Sequence, residues 1–316
     1  DLDMDYYNPF GASGNVPAAE LGARLAELAP GSLNHVYYTC GGSTANDAAV
    51  RIVHYYFAMR GKPGKRKIIS RNNGYHGATY VAAALTGIHG TKYGFAQVGE
   101  DFIHHISAAD CYARPDGMSE EAYCDLLVRE FEMRIEQLGP QNVAAFIAEP
   151  IMGAGGVLVA PKGYHKRMQA VCRRNDILYI ADEVVTGFGR LGEWFASDAI
   201  YETQPDILVS AKGITSGYIP LGATLISDEI YDVISRPQCE GGVFSMGLTY
   251  FGHPVACAAA LTNIDIMERE RLLPHAAKTG AYLQSRAKGL LAHDIVGDVR
   301  GAGLMLGIDL VADKVT

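Results

Sequence analysis

Leu178-Tyr179-Ile180-Ala181-Asp182-Glu183 is the stretch on which the fold turns. An apolar run that stops abruptly at carboxylates reads as a strand buried on both faces, with charge at its carboxyl end. The strand is expected over Ile177 to Ala181. Two runs of the same kind flank it. Val143 to Ala148 ends at Glu149-Pro150, and Ile207 to Ser210 ends at Ala211-Lys212. Between the first two, Lys162 to Asn175 has helical spacing. Buried strands alternating with helices predict an α/β fold, a mainly parallel sheet covered by helices on both faces.

Further out the alternation continues. Val36-Tyr37-Tyr38-Thr39 reads as a strand and leads through Gly41-Gly42 into a helix over Thr44 to Arg60, with Ala48, Ile52, Tyr55 and Tyr56 on one face. Lys67 to Ser70 is the next strand. Ser119 to Leu138 is a long helix, started by Ser119-Glu120-Glu121 and stopped by Gly139-Pro140. Towards the end, Pro254 to Arg271 and Pro274 to His293 read as helices and Gly303 to Val311 as a strand. A large domain over 1–270 and the start of a small one over 271–316 are expected.

The 316 residues suffice for two domains at about 150 residues each. A formal net charge of −8 argues against a nucleic-acid surface. The basic stretch Lys62 to Lys67 is short and broken by Gly and Pro, as in a solvated loop. Cys40, Cys111, Cys124, Cys172, Cys239 and Cys257 include no C-x-x-C pair. The acidic opening, Asp1, Asp3 and Asp5, is unlike a signal peptide, and no apolar run reaches the ~18 residues of a membrane span. A soluble, reduced, cytoplasmic protein is expected. The start on Asp1 and the stop at Thr316 after an apolar run both read as cuts through a longer chain.

Ligands of open α/β sheets bind at the carboxyl ends of the strands. Glu149, Asp182-Glu183 and Lys212 all end buried strands, so carboxylates and an amine meet at one rim. They form either a salt-bridge cluster closing the sheet or a reactive site. Cys40-Gly41-Gly42-Ser43-Thr44 lies between a strand and a helix. It is either an anion cradle at a helix N-terminus or an ordinary turn capped by Ser43 or Thr44. The chain has no P-loop, no G-x-G-x-x-G directly after a strand, no H-E-x-x-H and no G-x-S-x-G. A phosphate loop, a rim Lys and a rim Asp together fit pyridoxal phosphate, which needs a Lys for its Schiff base and an acid facing its pyridine nitrogen. Ala211 and Gly213, the small neighbours of Lys212, leave room for a flat ring.

These residues resemble the class III aminotransferases among the fold-type I pyridoxal phosphate enzymes. The matching segments, in order, are Tyr38 to Asp47, Tyr75-His76-Gly77, Ala148-Glu149-Pro150, Asp182 to Arg190, Ser210-Ala211-Lys212-Gly213 and Leu248 to Pro254. They cover essentially the whole chain. The resemblance implies that Lys212 forms the internal aldimine and shuttles the substrate proton, and that Asp182 pairs with the pyridine nitrogen. It implies Tyr75 stacked on one face of the ring and Val184 packed on the other, with Gly42 and Ser43 binding phosphate. His76 and Glu149 would lie near the ring, Glu149 contacting either a mobile substrate-binding Arg or, structurally, Arg190. Thr249 would reach the phosphate held by a second subunit, hence a homodimer with shared sites.

Within the family the sequence is most similar to ω-amino acid and amine:pyruvate transaminases, through Arg51 to Lys67 with its Gly-Lys-Pro-Gly-Lys-Arg-Lys, Ala154 to Val157 and Lys162-Gly163-Tyr164. The implied activity is ping-pong transfer from an amine or ω-amino acid to a keto acid such as pyruvate. An aminomutase, a decarboxylating transaminase and a non-catalytic pyridoxal phosphate-binding protein remain alternatives. Gly41 stands where the family often has Ser, and Thr44 where it usually has Glu.

Overall fold

The structure, a computed structural model, describes residues 14–96, 98–236 and 243–314. Cys239 and the acidic opening residues lie outside the described ones. The strands are β1 (His35–Thr39), β2 (Lys67–Arg71), β3 (Ile103–Ile106), β4 (Val143–Ala148), β5 (Ile151–Met152), β6 (Leu158–Val159), β7 (Leu178–Asp182), β8 (Ile207–Ser210), β9 (Gly222–Ile226), β10 (Val296–Ala302) and β11 (Met305–Leu310). The helices are α1 (Val16–Leu28), α2 (Gly42–Met59), α3 (Tyr80–Leu85), α4 (Glu120–Leu138), α5 (Tyr164–Arg174), α6 (Ala196–Ala199), α7 (Asp228–Ile234), α8 (Pro254–Arg269) and α9 (Leu272–Ala287).

Seven strands form the central sheet in the order β1-β9-β8-β7-β4-β2-β3. The pairs β2–β3, β2–β4, β4–β7 and β7–β8 are parallel, whereas β9 runs antiparallel to both β8 and β1. Every strand of the sheet except β9 therefore points the same way, and the sheet is mostly parallel as expected. The carboxyl ends of β1, β2, β4, β7 and β8 share one rim.

Both faces are covered because side chains alternate across each strand. Phe146 and Ala148 of β4, with Tyr179 and Ala181 of β7, pack against α4 and α5. Ala145, Ile147, Leu178 and Ile180 point the other way, into a core shared with α2 and α7. A third cluster joins Leu208, Ala223 and Leu225 of the sheet to α1 and α8. All six residues of β4 are buried. Burying one such side chain as large as Phe146 is worth about 2–3 kcal/mol, so a charge inside these runs would be costly. Charge appears only where each run ends, at the rim.

Most boundaries fall within a few residues of expectation. Strand β7 begins one residue later and takes in Asp182, which pairs with Val209. Ser119 caps α4 by accepting from the Ala122 amide at 3.2 Å, and Gly139 ends it. α8 stops at Arg269, because Arg271 takes a left-handed φ of 53°. α9 starts at Leu272 with Pro274 inside its first turn, where a missing N–H costs nothing. It yields to a 3-10 turn, Lys288–Ala292, short of the expected His293. The strand expected over Gly303 to Val311 is β11, and it pairs antiparallel with β10 in a separate two-stranded sheet. Strands β3, β5, β6, β9 and β10 and helices α1, α3, α6 and α7 had no expectation. No helix of the described residues is long and apolar enough to cross a membrane.

Candidate active site

Beyond Thr39 the chain passes through Cys40 and Gly41 into α2. Gly41 caps the helix, and no side chain accepts from its first amides. Those of Gly42, Ser43 and Thr44 thus have no intrahelical acceptor. Thr44 Oγ1 donates to the Gly41 carbonyl at 2.9 Å, and Ser43 Oγ accepts from the Ala78 amide at 3.1 Å. Neither hydroxyl caps the helix, so the plain capped turn is not what the loop forms. A Cβ on Gly42 would come within 3.1 Å of both γ-carbons of Val184, so glycine lets Val184 lie against the helix start. At Gly77, with φ 135°, a Cβ would sit 2.4 Å from Ser43 Oγ. The Gly77 turn and the Ser43 turn can meet only because that side chain is absent.

Asp182, at the end of β7, is buried. Its Oδ2 accepts from Asn46 Nδ2 at 2.8 Å and from His76 Nδ1 at 2.7 Å. Among the described residues its Oδ1 accepts only the Val184 amide, at 3.1 Å, and so keeps a spare lone pair. Asn46 Nδ2 also donates to the His76 carbonyl at 2.7 Å. One oxygen is saturated by protein donors while the other stays free for a further donor. Asn46 was not singled out from sequence. Its signal is an amide side chain on the face of α2 that buries Ala45, Ala49 and Ile52.

Glu149, just beyond β4, is buried too. Its Oε1 accepts from the Tyr75 amide at 2.9 Å and its Oε2 from the Gly153 amide at 3.0 Å. Burial pushes its carboxyl above the ordinary range, against the pull of His76 and of these two donors. Arg190 is exposed and forms no ion pair with Glu149 among the described residues, which removes the structural pairing. Glu183 faces away from the rim. It is fully buried and accepts from Thr186 Oγ1, the Ala196 and Ser197 amides and Ser197 Oγ. Asp182-Glu183 therefore supplies a single carboxylate to the site.

Lys212 follows β8 at a left-handed φ of 44°, opening a short 3-10 turn, Lys212–Thr215. For a residue with a Cβ this region is strained. Lys212 is exposed, not half-desolvated as a strand-end charge would be, and among the described residues it joins no ion pair. Among the described residues the cleft's one contact between a carboxylate and a basic side chain is His76 Nδ1 to Asp182 Oδ2, at 2.7 Å. A salt-bridge cluster closing the sheet is therefore not what forms. Gly213 does not make room beside Lys212; a Cβ there would lie 2.8 Å from Phe188 Cβ, so its smallness serves that packing.

Gly42, Ser43, Asn46, Tyr75, His76, Gly77, Glu149, Asp182, Val184, Val185 and Lys212 line a single cleft. Of the residues expected at the site, only Thr249 is elsewhere, exposed in a turn before α8. The aminotransferase class-III family model matches residues 3–316. The chain belongs to the class III aminotransferases. A putrescine–pyruvate aminotransferase of Pseudomonas aeruginosa is 42% identical over 317 residues, spanning 99% of this chain and 68% of the relative. An (S)-enantioselective omega-transaminase from Thermomicrobium roseum superposes with a TM-score of 0.94 at 45% identity, over 98% of this chain and 68% of the other. The omega-transaminase of Pseudomonas jessenii in complex with PMP gives 0.94 at 43%, with the same coverage. This aminotransferase thus spans about two thirds of the length of those relatives.

Proposed function

We propose that this aminotransferase holds pyridoxal phosphate in the Gly42–Lys212 cleft. There it passes an amino group from an amine or ω-amino acid to a keto acid such as pyruvate, in two half-reactions. The observation that carries this is the half-saturated Asp182 carboxylate in the same cleft as an amine with no ion-pair partner. The residues present fit the group: open amides at the α2 N-terminus for a phosphate, a cradle that a Cβ on Gly42 would fill, and a buried acid for a ring nitrogen. When bound, pyridoxal phosphate supplies an electron sink for charge on the substrate carbon.

Each residue then has a task. The amides of Gly42 and Ser43 hold phosphate, helped by the α2 dipole. Asp182 Oδ1 holds the proton of the ring nitrogen, because Oδ2 is already committed to Asn46 and His76. Tyr75 and Val184 cover the ring's two faces. Lys212 Nζ would hold the group and would carry the proton to and from the substrate carbon. The names of the relatives, putrescine–pyruvate aminotransferase and omega-transaminase, support an amine donor and a keto-acid acceptor.

Thr249 is exposed and outside its own chain's cleft, which supports a homodimer in which it reaches the other subunit's phosphate. A monomer by sedimentation would remove this part. The division into a large domain over 1–270 and the start of a small one over 271–316 is part of the proposal, and the separate β10–β11 sheet supports it. Limited proteolysis that spares the junction at Arg271 and cuts within either part would argue otherwise. The unpaired state of the described cysteines supports a reducing compartment, the cytoplasm, which fractionation checks.

The purified protein should be yellow with an imine absorbance band that Lys212→Ala abolishes. Asp182→Asn should bind the cofactor but hardly turn over. A colourless protein that binds no added pyridoxal phosphate refutes the reading.

A further inference from the structure

Arg71 is among the largest fully buried side chains of the protein, 1% exposed at the end of β2. Its Nη2 donates to the Glu149 carbonyl at 2.6 Å. Its Nε and Nη1 have no partner, and no carboxylate pairs with it among the described residues. The guanidinium lies 5.9 Å from the centre of the Tyr164 ring. Burying a cation with so few partners is expensive, and an apolar side chain of similar volume would serve the core better. Besides facing the Tyr164 side chain, the guanidinium does one thing that an apolar group cannot, which is to hold the backbone of Glu149.

Glu149 in turn bridges two turns. Its carboxylate takes the Tyr75 amide on one oxygen and the Gly153 amide on the other. The turn that carries Tyr75 and His76 closes on its own Gly74 amide to Arg71 carbonyl bond at 3.1 Å, and Gly87 and Thr86 hold it on one side, at the Asn73, Gly74 and His76 backbones; the Tyr75 amide is left to Glu149. The turn is pressed against the strap after β4: a Cβ on Gly155 would lie 2.1 Å from the Asn73 carbonyl. His165 holds the strap from behind, with Nε2 against the Pro150 carbonyl at 3.0 Å and Nδ1 against the Tyr179 hydroxyl at 2.9 Å. Burial holds this imidazole neutral, with its pKa pushed down to about 3, so Nε2 carries the proton and donates.

We infer that Arg71 is a positioning residue. It fixes Glu149, whose carboxylate staples the turn carrying Tyr75, and the pair sets where the Tyr75 ring lies in the cleft. Arg71 touches neither the cleft nor Lys212, and it acts only through Glu149. The consequence for cofactor binding rests on the pyridoxal phosphate reading; the staple itself does not.

The test is amide hydrogen exchange on the intact protein without cofactor, joined to pyridoxal phosphate titration of the same samples. Arg71→Met, Arg71→Lys, Glu149→Gln and the Arg71→Met/Glu149→Gln pair are compared. Exchange of the Tyr75 and Gly153 amides should quicken about tenfold in Arg71→Met, and exchange of at least one of them in Glu149→Gln, whose side chain keeps a single acceptor oxygen, the worth of one buried hydrogen bond. Amides inside β4 and β7 should not change. Arg71→Lys, which can still donate to the Glu149 carbonyl, should restore most of the protection, and the double variant should lose no more than Glu149→Gln alone. Pyridoxal phosphate affinity should weaken in parallel, again without multiplying in the pair.

A wild-type exchange rate at Tyr75 in Arg71→Met, or losses that multiply in the double variant, would overturn the inference. Should Arg71→Met not fold, Arg71→Lys and Glu149→Gln carry the comparison; an unprotected Lys variant, or a protected Gln variant, overturns it equally. If wild-type protein binds no pyridoxal phosphate, the proposed function falls while the exchange data still decide the staple.

Discussion

Asn46→Ala isolates the scaffold around Asp182. The substitution removes two donor contacts from a buried amide, 2.8 Å to the Asp182 carboxylate and 2.7 Å to the His76 carbonyl. A hydrogen bond to a charged group is worth about 1.5–3 kcal/mol, and an orphaned buried carbonyl costs about 1–3 kcal/mol more. Two effects offset the loss. Asn46 Oδ1 is itself buried without a partner, so its removal relieves about 1 kcal/mol. Alanine also favours the helix by up to about 0.7 kcal/mol. The net is a destabilisation of about 2 kcal/mol, a fall in Tm of about 3 °C for a chain of this size.

The catalytic effect should exceed the structural one. Oδ2 of Asp182 would keep His76 as its one donor, and the carboxylate could turn so that Oδ1 no longer meets its partner. We expect kcat to fall about tenfold with KM little changed, measured by pyruvate-dependent transamination alongside thermal unfolding. Asn46→Asp is the sharper control. It has nearly the same shape but sets a second carboxylate against the first, and like charges this close cannot both ionise. It should therefore be worse than Asn46→Ala. A Tm within a degree of wild type and an unchanged kcat in Asn46→Ala, or an Asn46→Asp variant better than the alanine one, would refute the reasoning.

Gly77→Ala should be much costlier than Gly163→Ala, although both glycines have positive φ. At Gly77 a Cβ would strike Ser43, whereas at Gly163 nothing lies within 4 Å. Unfolding curves should show a loss of about 3 kcal/mol or more at Gly77, together with weakened phosphate binding, against about 1 kcal/mol at Gly163; equal losses would contradict the Ser43 contact. Stability should also depend on pH through two buried groups of opposite sign. Burial lowers the His165 pKa to about 3 from an ordinary 6.5, so its contribution is complete above 6.5 and is lost as pH falls towards 3, on the order of 5 kcal/mol. Burial raises Asp206 to about 6, so its contribution is complete below the ordinary 3.8 and is lost as pH rises through 6, on the order of 3 kcal/mol. Glu149 and Glu183, also raised by burial, act in the same direction as Asp206. Urea unfolding of His165→Gln between pH 4 and 7 should therefore lose stability more steeply with rising pH than wild type, and parallel profiles would contradict the assignment.

Much of the rim was legible because a strand's end is a local property. An apolar run buried on both faces must stop where charge begins, and Glu149, Asp182 and Lys212 stand at those stops. What each of them does was less legible. Glu183 is as charged and as close to a strand end as Asp182, yet it turns inward to Ser197 and Thr186. Gly213 looked like room for a ligand and proved to be room for Phe188. Strand β9 escaped notice because it is the one reversed strand, entered through Gly222 instead of a long apolar run.

From sequence alone came the alternation that makes a parallel, doubly covered sheet, the three rim residues and the glycine turn before α2. These follow from periodicity and composition within a few residues of each position. The tertiary structure alone decided that residues 46, 76 and 182 meet on one carboxylate, that Glu149 spends both oxygens on backbone amides and that Arg71 stands behind it. The strand order β1-β9-β8-β7-β4-β2-β3 is not the chain order. Hydrogen-bond partners across such a sheet are set by which strands lie side by side, and a local apolar pattern carries no record of its neighbours.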